Sequence, residues 1–133
     1  MLELVLLQLR GELHGLSAER FPGLRARHYR LLSFLPPEGE RVSRLVVRSG
    51  LTKQALAQAL DPLEAGGYVE VVPDPADRRA RLVRLTDGGR EVVGAMSARL
   101  AEVEAGWAGA VGPERWATAR AVLAQVAVLP SSS

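Results

Sequence analysis

Apolar residues recur at helical spacing over most of the chain. In residues 2–16, leucine and valine return every three or four positions, which predicts a first helix with one broad apolar face. A second helix is predicted over about 24–35, and it ends before Pro36 because a residue that precedes proline avoids the helical region. Apolar positions from Val92 to Trp107 predict a long helix, and Pro113 suits the first turn of a last helix over about 113–128.

Two short helical segments with a glycine turn between them lie in the middle of the chain. The first is predicted over about 42–49, and a turn follows around Gly50. Thr52 is a favourable N-cap for the second, whose buried face is predicted to carry Leu56, Leu60 and Leu63. Two helices joined by such a turn are typical of a helix-turn-helix.

Pro62 lies inside this second helix. Proline removes a backbone hydrogen bond and clashes with the preceding turn, and Asp61-Pro62 also resembles a new helix start. We therefore expect a kink or break between about Gln58 and Pro62, with residues 52–59 remaining helical.

The pattern then changes from helical to extended. Gly66 and Gly67 favour a helix end, and residues 68–72 and 82–85 are rich in β-branched and aromatic side chains. Residues 73–79 have the composition of a loop, so a β-hairpin with a basic tip, the wing, is predicted. Thr86 is a candidate cap for the helix that follows.

Composition and charge narrow the class of protein. A chain of 133 residues without cysteine predicts one domain and excludes disulfides and thiolate chemistry. Net charge is +2, but residues 41–90 hold nine Lys or Arg against six acids, which suits a nucleic-acid-binding face. The apolar start carries Glu3 and lacks a basic flank, and no run could span a bilayer, so a cytoplasmic location without membrane partners is expected. The tail Ser131–Ser133 is expected to fray.

No pattern typical of catalysis is found. No glycine-rich phosphate loop follows a strand, no nucleophile motif is present, and the carboxylates are scattered. The two histidines, His14 and His28, are isolated, whereas a metal site needs three or four donors. We therefore expect neither an enzyme nor a bound metal or cofactor.

The order of elements and the motif in residues 63–90 resemble the MarR family of winged helix-turn-helix transcriptional regulators. This segment follows the family's sequence of helix end, first wing strand, Asp-x-x-Asp-x-Arg wing tip (Asp74, Asp77 and Arg79), second strand and Leu-Thr-x-x-Gly-Arg helix start, here Leu85 to Arg90. The resemblance extends from about Tyr29 to Val93.

The resemblance implies a mainly α-helical winged helix-turn-helix fold with about six helices and a two-stranded β-wing. The single domain, 1–133, would contain a DNA-binding region over 28–90 and a helical dimerisation region over 1–20 and 91–129. Unusually extensive apolar surface on the terminal helices independently favours a homodimer. The residues expected at that interface are Leu2, Leu6, Leu9, Trp116, Val122 and Val126.

The resemblance also implies which residues contact an operator in double-stranded DNA. Recognition-helix residues would enter the major groove, and a side-chain amide can pair with adenine. In the wing, Asp77 would orient Arg79 toward the minor groove, with neighbouring arginines on phosphates. The full set is Thr52, Lys53, Gln54, Gln58, Asp77, Arg78, Arg79 and Arg81.

The implied function is a dimeric, sequence-specific transcriptional regulator, acting as a repressor and released by a small-molecule effector near His28 and Tyr29. Two departures from the family pattern, Pro62 and glutamines where an arginine is common on the recognition helix, keep an alternative open. The alternative is a winged-helix protein-interaction module with weak or no specific DNA binding.

Overall fold

The computed structural model describes residues 1–130, so the serine tail for which fraying is expected lies outside the described residues. It contains six helices and three short strands. In chain order these are α1 (Leu2–Arg20), α2 (Ala26–Phe34), β1 (Glu40–Arg41), α3 (Val42–Ser49), α4 (Lys53–Ala65), β2 (Val69–Asp74), β3 (Asp77–Leu85), α5 (Asp87–Val111) and α6 (Pro113–Ala127). The prediction of a mainly α-helical winged fold with about six helices is confirmed.

Helix ends follow the local chemistry of the sequence. α2 stops one residue before Leu35 and the Pro36-Pro37 pair, and α6 starts with Pro113 in its first turn, as predicted. α1 continues beyond residue 16 to Arg20, where the amide of Phe21 still donates to Ser17 O at 3.0 Å. That additional turn is held in place because Leu16 and Ser17 are buried.

Of the kink or break expected between about Gln58 and Pro62, the break is wrong, and the kink stays a prediction. α4 is a single helix from Lys53 to Ala65 with the proline inside it. Leu63, directly after the proline, is fully buried, and the amide of Tyr68 donates to its carbonyl at 2.8 Å. Burial of this last turn offsets the hydrogen bond that Pro62 cannot make.

The wing differs from its predicted outline in two ways. Its strands extend to Asp74 and from Asp77, so the predicted loop over 73–79 shrinks to the turn at Pro75-Ala76, and Arg79 lies within β3. The sheet also has three strands rather than two, in the order β1-β3-β2. The added strand pairs Glu40 with Val83 and Arg41 with Leu82, antiparallel to β3.

One apolar core holds the helix-turn-helix against the sheet. Leu45 of α3, Leu56 and Leu63 of α4 and Val83 of β3 are completely buried. At the start of α5, a Cβ on Gly89 would lie 2.0 Å from the carbonyl oxygen of Tyr68, so only glycine allows this helix to approach the wing so closely. The core therefore fixes α3, α4 and the wing together.

The described chain divides into two compact units, residues 1–97 and residues from Ala98 onward. The first unit contains the helix-turn-helix and the wing. In the second, Trp107 and Trp116 pack edge to face with ring centroids 5.2 Å apart, and Arg120 Nε donates to Glu104 Oε1 at 2.9 Å. Within residues 1–130, no helix combines the length and apolar character needed to cross a membrane.

Candidate DNA-binding interface

The exposed face of α4 is set by its start and by its buried face. Gly50 adopts a left-handed backbone, φ 72°, which turns the chain from α3 into α4. Thr52 caps α4, its Oγ1 accepting from the amide of Ala55 at 3.0 Å as predicted. Because one face of α4 is buried, the opposite face is presented to solvent, and it carries four of the predicted contact residues, Thr52, Lys53, Gln54 and Gln58.

The wing presents an arginine, Arg79, whose side chain is 95% exposed. Asp77 Oδ1 accepts from the Arg79 amide at 3.1 Å and lies 3.5 Å from its Nε. This pairing is consistent with a carboxylate that directs the guanidinium outward. Arg78 and Arg81 are also exposed.

A groove of about 420 Å³ brings the two predicted parts of the interface together. It contains Lys53 from the start of α4 and Arg79 and Arg81 from β3. The remaining lining residues are Val42, Ser43, Val46 and Ala80. Three cations from two separate segments thus converge beside the exposed face of α4, an arrangement suited to a polyanion. Gln54 and Gln58 lie on α4 outside this groove.

Two acidic residues, Glu40 and Asp74, were given no structural role by the sequence. Glu40 is buried, and its Oε2 accepts from Arg48 Nη1 at 2.9 Å. Asp74 is also buried, and its two oxygens accept from the Ala76 amide at 2.8 Å and from Arg41 Nε at 2.6 Å. The Ala76 amide, and then Arg41, hold the pKa of Asp74 below its usual range.

The two residues suggested for an effector site, His28 and Tyr29, are both buried. Neither lines the cavity of about 720 Å³ that lies beside α1 and the start of α2. Each nevertheless bonds to a residue that does: Tyr29 Oη lies 2.7 Å from Ser17 Oγ, and His28 Nδ1 accepts from the Arg25 amide at 2.8 Å. The cavity lining also includes Arg10 and His14.

Comparison with known proteins agrees with this architecture. Residues 23–80 match the model of the MarR family. The transcriptional activatory protein BadR of Rhodopseudomonas palustris is 34% identical over 82 residues, 59% of this chain. The matched segment spans 47% of BadR, so this chain covers about half the length of that curated relative.

Solved structures match over nearly the whole chain. MarR of E. coli in its reduced form superposes with a TM-score of 0.79 at 23% identity, covering 97% of this chain and 93% of MarR. The repressor CouR bound to a 23-mer DNA duplex gives a TM-score of 0.76 at 22% identity, covering 95% and 89%. CouR from Rhodococcus jostii RHA1 bound to p-coumaroyl-CoA gives a TM-score of 0.74 at 24% identity, covering 99% of this chain and 92% of CouR. At these identities the likeness concerns the fold.

His28 should make the stability of the fold depend on pH. Burial, and then the charges of Arg27 and Arg25, lower the pKa of His28. Its Nδ1 accepts a backbone N–H, so the neutral ring carries its proton on Nε2, for which no partner is found in the described part of the chain. Protonation would add a proton facing that N–H. The stabilising contribution is therefore present above the unfolded-state pKa near ~6.5 and is lost as pH falls through the lower folded-state pKa.

Urea unfolding of wild type and His28→Gln at a series of pH values from ~7.5 to ~5 tests this. Glutamine at the third helical position can accept the same N–H without titrating. We expect wild type to lose stability toward acid more steeply than His28→Gln, while His14→Gln, at an exposed histidine, follows wild type. Parallel profiles for wild type and His28→Gln would contradict the prediction.

Proposed function

We propose that this chain, which matches the MarR family model over residues 23–80, is a sequence-specific DNA-binding protein that represses transcription as a homodimer. The observation that carries the proposal is the groove in which Lys53, Arg79 and Arg81 converge beside the exposed face of α4. In this arrangement α4 enters the major groove, where Gln54 and Gln58 can pair with adenine. The wing reaches the neighbouring minor groove, whose negative potential attracts an inserted arginine.

A second candidate function is a winged-helix module that binds protein and not specific DNA. It is favoured by the outward face of α4, where Lys53 is accompanied by the uncharged Gln54 and Gln58 and followed by the exposed acids Asp61 and Glu64. An electrophoretic mobility shift with the DNA upstream of the gene separates the two candidates. Sequence preference with steep salt dependence supports the regulator, and no shift at low salt supports the interaction module.

Replacing Arg79 tests the mechanism. Arg79→Ala should weaken operator binding about tenfold, equivalent to roughly 1.4 kcal/mol, and flatten the salt dependence by roughly one unit of slope. The melting temperature should stay unchanged, because the side chain is 95% exposed and packs against little. Asp77→Ala should weaken binding less, since it removes only the pairing that orients Arg79.

The matched control is Arg115→Ala, which removes an exposed arginine from α6. Operator affinity, salt slope and melting temperature are measured for all variants under the same conditions. If Arg79→Ala and Arg115→Ala bind as wild type does, the wing has no part in DNA recognition and the interaction module gains support.

The proposed homodimer is supported by apolar surface on the terminal helices, each taken by itself. On α1, Leu2 and Leu6 are more than half exposed, and on α6 so are Val122 and Val126. The other two residues expected at the interface, Leu9 and Trp116, are half-buried. Apolar side chains concentrated in this way on a soluble protein usually mark an association surface.

Sedimentation at micromolar concentration should therefore give a particle of twice the 14.3 kDa chain mass. Leu6→Glu should shift the equilibrium toward monomer, because it places a charge within the apolar face of α1. Gln8→Glu, at an exposed polar position of the same helix, should leave the dimer intact. A stable, folded wild-type monomer would contradict the proposal.

We further propose that an anionic small molecule binds the 720 Å³ cavity and releases the protein from DNA. Arg10 and Arg25 line the cavity, which favours a carboxylate or phosphate. The hydrogen bond between Ser17, in the cavity wall, and Tyr29, in the core, provides a direct connection to α2. Through this hydrogen bond, binding in the cavity would alter α2 and, through α2, the helix-turn-helix.

Thermal-shift and DNA-release assays with p-coumarate and p-coumaroyl-CoA test the effector site. An anion that stabilises the wild-type protein should bind to Arg10→Ala with about tenfold lower affinity, because the variant loses a charge-assisted hydrogen bond. Arg27→Ala, at an exposed arginine of α2 outside the cavity lining, should respond as wild type does. An equal response of wild type and Arg10→Ala, or no response to either compound, would count against an anionic effector of this class here.

A further inference from the structure

β1 joins the wing to the helix-turn-helix through two residues. Glu40 and Arg41 pair with Val83 and Leu82 of β3, the central strand of the sheet. Arg41 is also the N-cap residue of α3, which begins at Val42. The backbone of Arg41 therefore belongs to both structures, and its side chain is well placed to link them.

The side chain of Arg41 reaches the far end of the wing. Its Nε donates to Asp74 Oδ2 at 2.6 Å. Asp74 is the last residue of β2, beside the irregularity between Pro73 and Asp74, and its Oδ1 accepts from the Ala76 amide at 2.8 Å. One buried carboxylate thus closes the turn of the wing and attaches that turn to the residue that begins α3.

A second cross-strand ion pair in the wing lies entirely within the hairpin. Glu70 and Arg84 are directly paired across β2 and β3, and their side chains form an ion pair. Both partners lie in the hairpin, and each side chain is close to half exposed, at 46% and 44%. This pair can stabilise the hairpin but has no partner in α3, so it provides a matched control.

We propose that Arg41 and Asp74, the wing brace, fix the position of the wing relative to α3 and the start of α4, and are thereby positioning residues for DNA recognition. This rests on the proposed DNA-binding function. Arg79 pairs with a residue of its own hairpin and is almost fully exposed, so the position of β3 determines where Arg79 lies. The brace is a charge-assisted hydrogen bond with one buried partner, a geometry that restricts motion more than an exposed pair does.

The sign of one substitution distinguishes the brace from simple electrostatics. Asp74→Asn removes a negative charge close to the DNA-binding face and leaves Arg41 without its carboxylate. If charge alone mattered, the variant would bind DNA more tightly, because the local field becomes more positive. If the brace positions the wing, the variant binds more weakly despite the gain in positive charge.

The first experiment measures operator affinity in a double-mutant cycle. Asp74→Asn retains an oxygen for the Ala76 amide, and Arg41→Gln leaves the Asp74–Ala76 turn intact. We expect each to weaken binding about fivefold, and the double variant to be no weaker than either one, because both remove the same interaction. Arg79→Ala should then lower operator affinity by a smaller factor in the Asp74→Asn background than in wild type. Glu70→Gln should bind at least as tightly as wild type.

The second experiment measures the position of the wing without DNA. The chain has no cysteine, so Val47→Cys in α3 and Arg78→Cys in β3, both at exposed positions, allow specific spin labelling. With unlabelled protein added to suppress distances between copies, electron-electron double resonance should give a narrow distribution. Arg41→Gln and Asp74→Asn should broaden it, and Glu70→Gln should not.

The outcomes separate this inference from the proposed function. Unchanged distance distributions in both brace variants overturn the brace, whether or not DNA binds. Tighter binding by Asp74→Asn overturns its role in recognition. If wild type binds no DNA but the brace variants broaden the distribution, the proposed function fails while the mechanical link stands. Should Asp74→Asn fail to fold, Arg41→Gln, which keeps the turn, decides the question by the same two measurements.

Discussion

The burial of one face of α4 is the interaction on which the rest of the structure depends. Leu56 and Leu63 are completely buried, and so are Leu45 of α3 and Val83 of β3, which belong to the same core. Since residues three or four apart share a helical face, burying these leucines leaves the side of α4 that carries Lys53, Gln54 and Gln58 outward. The exposed face proposed as the DNA-binding interface is thus a geometric consequence of the core. The same burial keeps α4 helical through Pro62, because unwinding the last turn of the helix would expose Leu63 to solvent.

Helical periodicity was sufficient to predict the elements that depend on local sequence. The bounds of α3, the cap at Thr52 and the start of α6 at Pro113 follow from capping and proline rules that act over a few residues. β1 could not be found in this way. A strand of two charged residues, Glu40 and Arg41, has no periodicity, and it exists only because β3 offers it partners 41 and 43 residues later. The extent of β3 through Arg79 was missed for the same reason.

The site shows a similar division between local and distant causes. The resemblance to the MarR family was enough to nominate Lys53, Arg79 and Arg81, through their positions in the helix-turn-helix and the wing motif. Their convergence on one groove depends on how the core places α4 against β3, which no local pattern specifies. Glu40 was passed over, and Asp74 was quoted only as part of the wing motif, because acids in a chain are usually solvated. Only the fold shows that both are buried and bonded to arginines.

These buried acids also explain how a nearly neutral chain presents a basic face. The net charge is only +2, and the central region owes its excess to a few residues. Glu40 and Asp74 are bound to Arg48 and Arg41, so their charges are compensated internally. The cations of the groove face solvent, so the field there is more positive than composition suggests. The strength of the positive field at the groove therefore depends on where Glu40 and Asp74 are held. An acid that is displaced from its partner would both loosen the sheet and weaken the attraction for a polyanion, which couples the stability of this junction to the electrostatics of the surface in front of it.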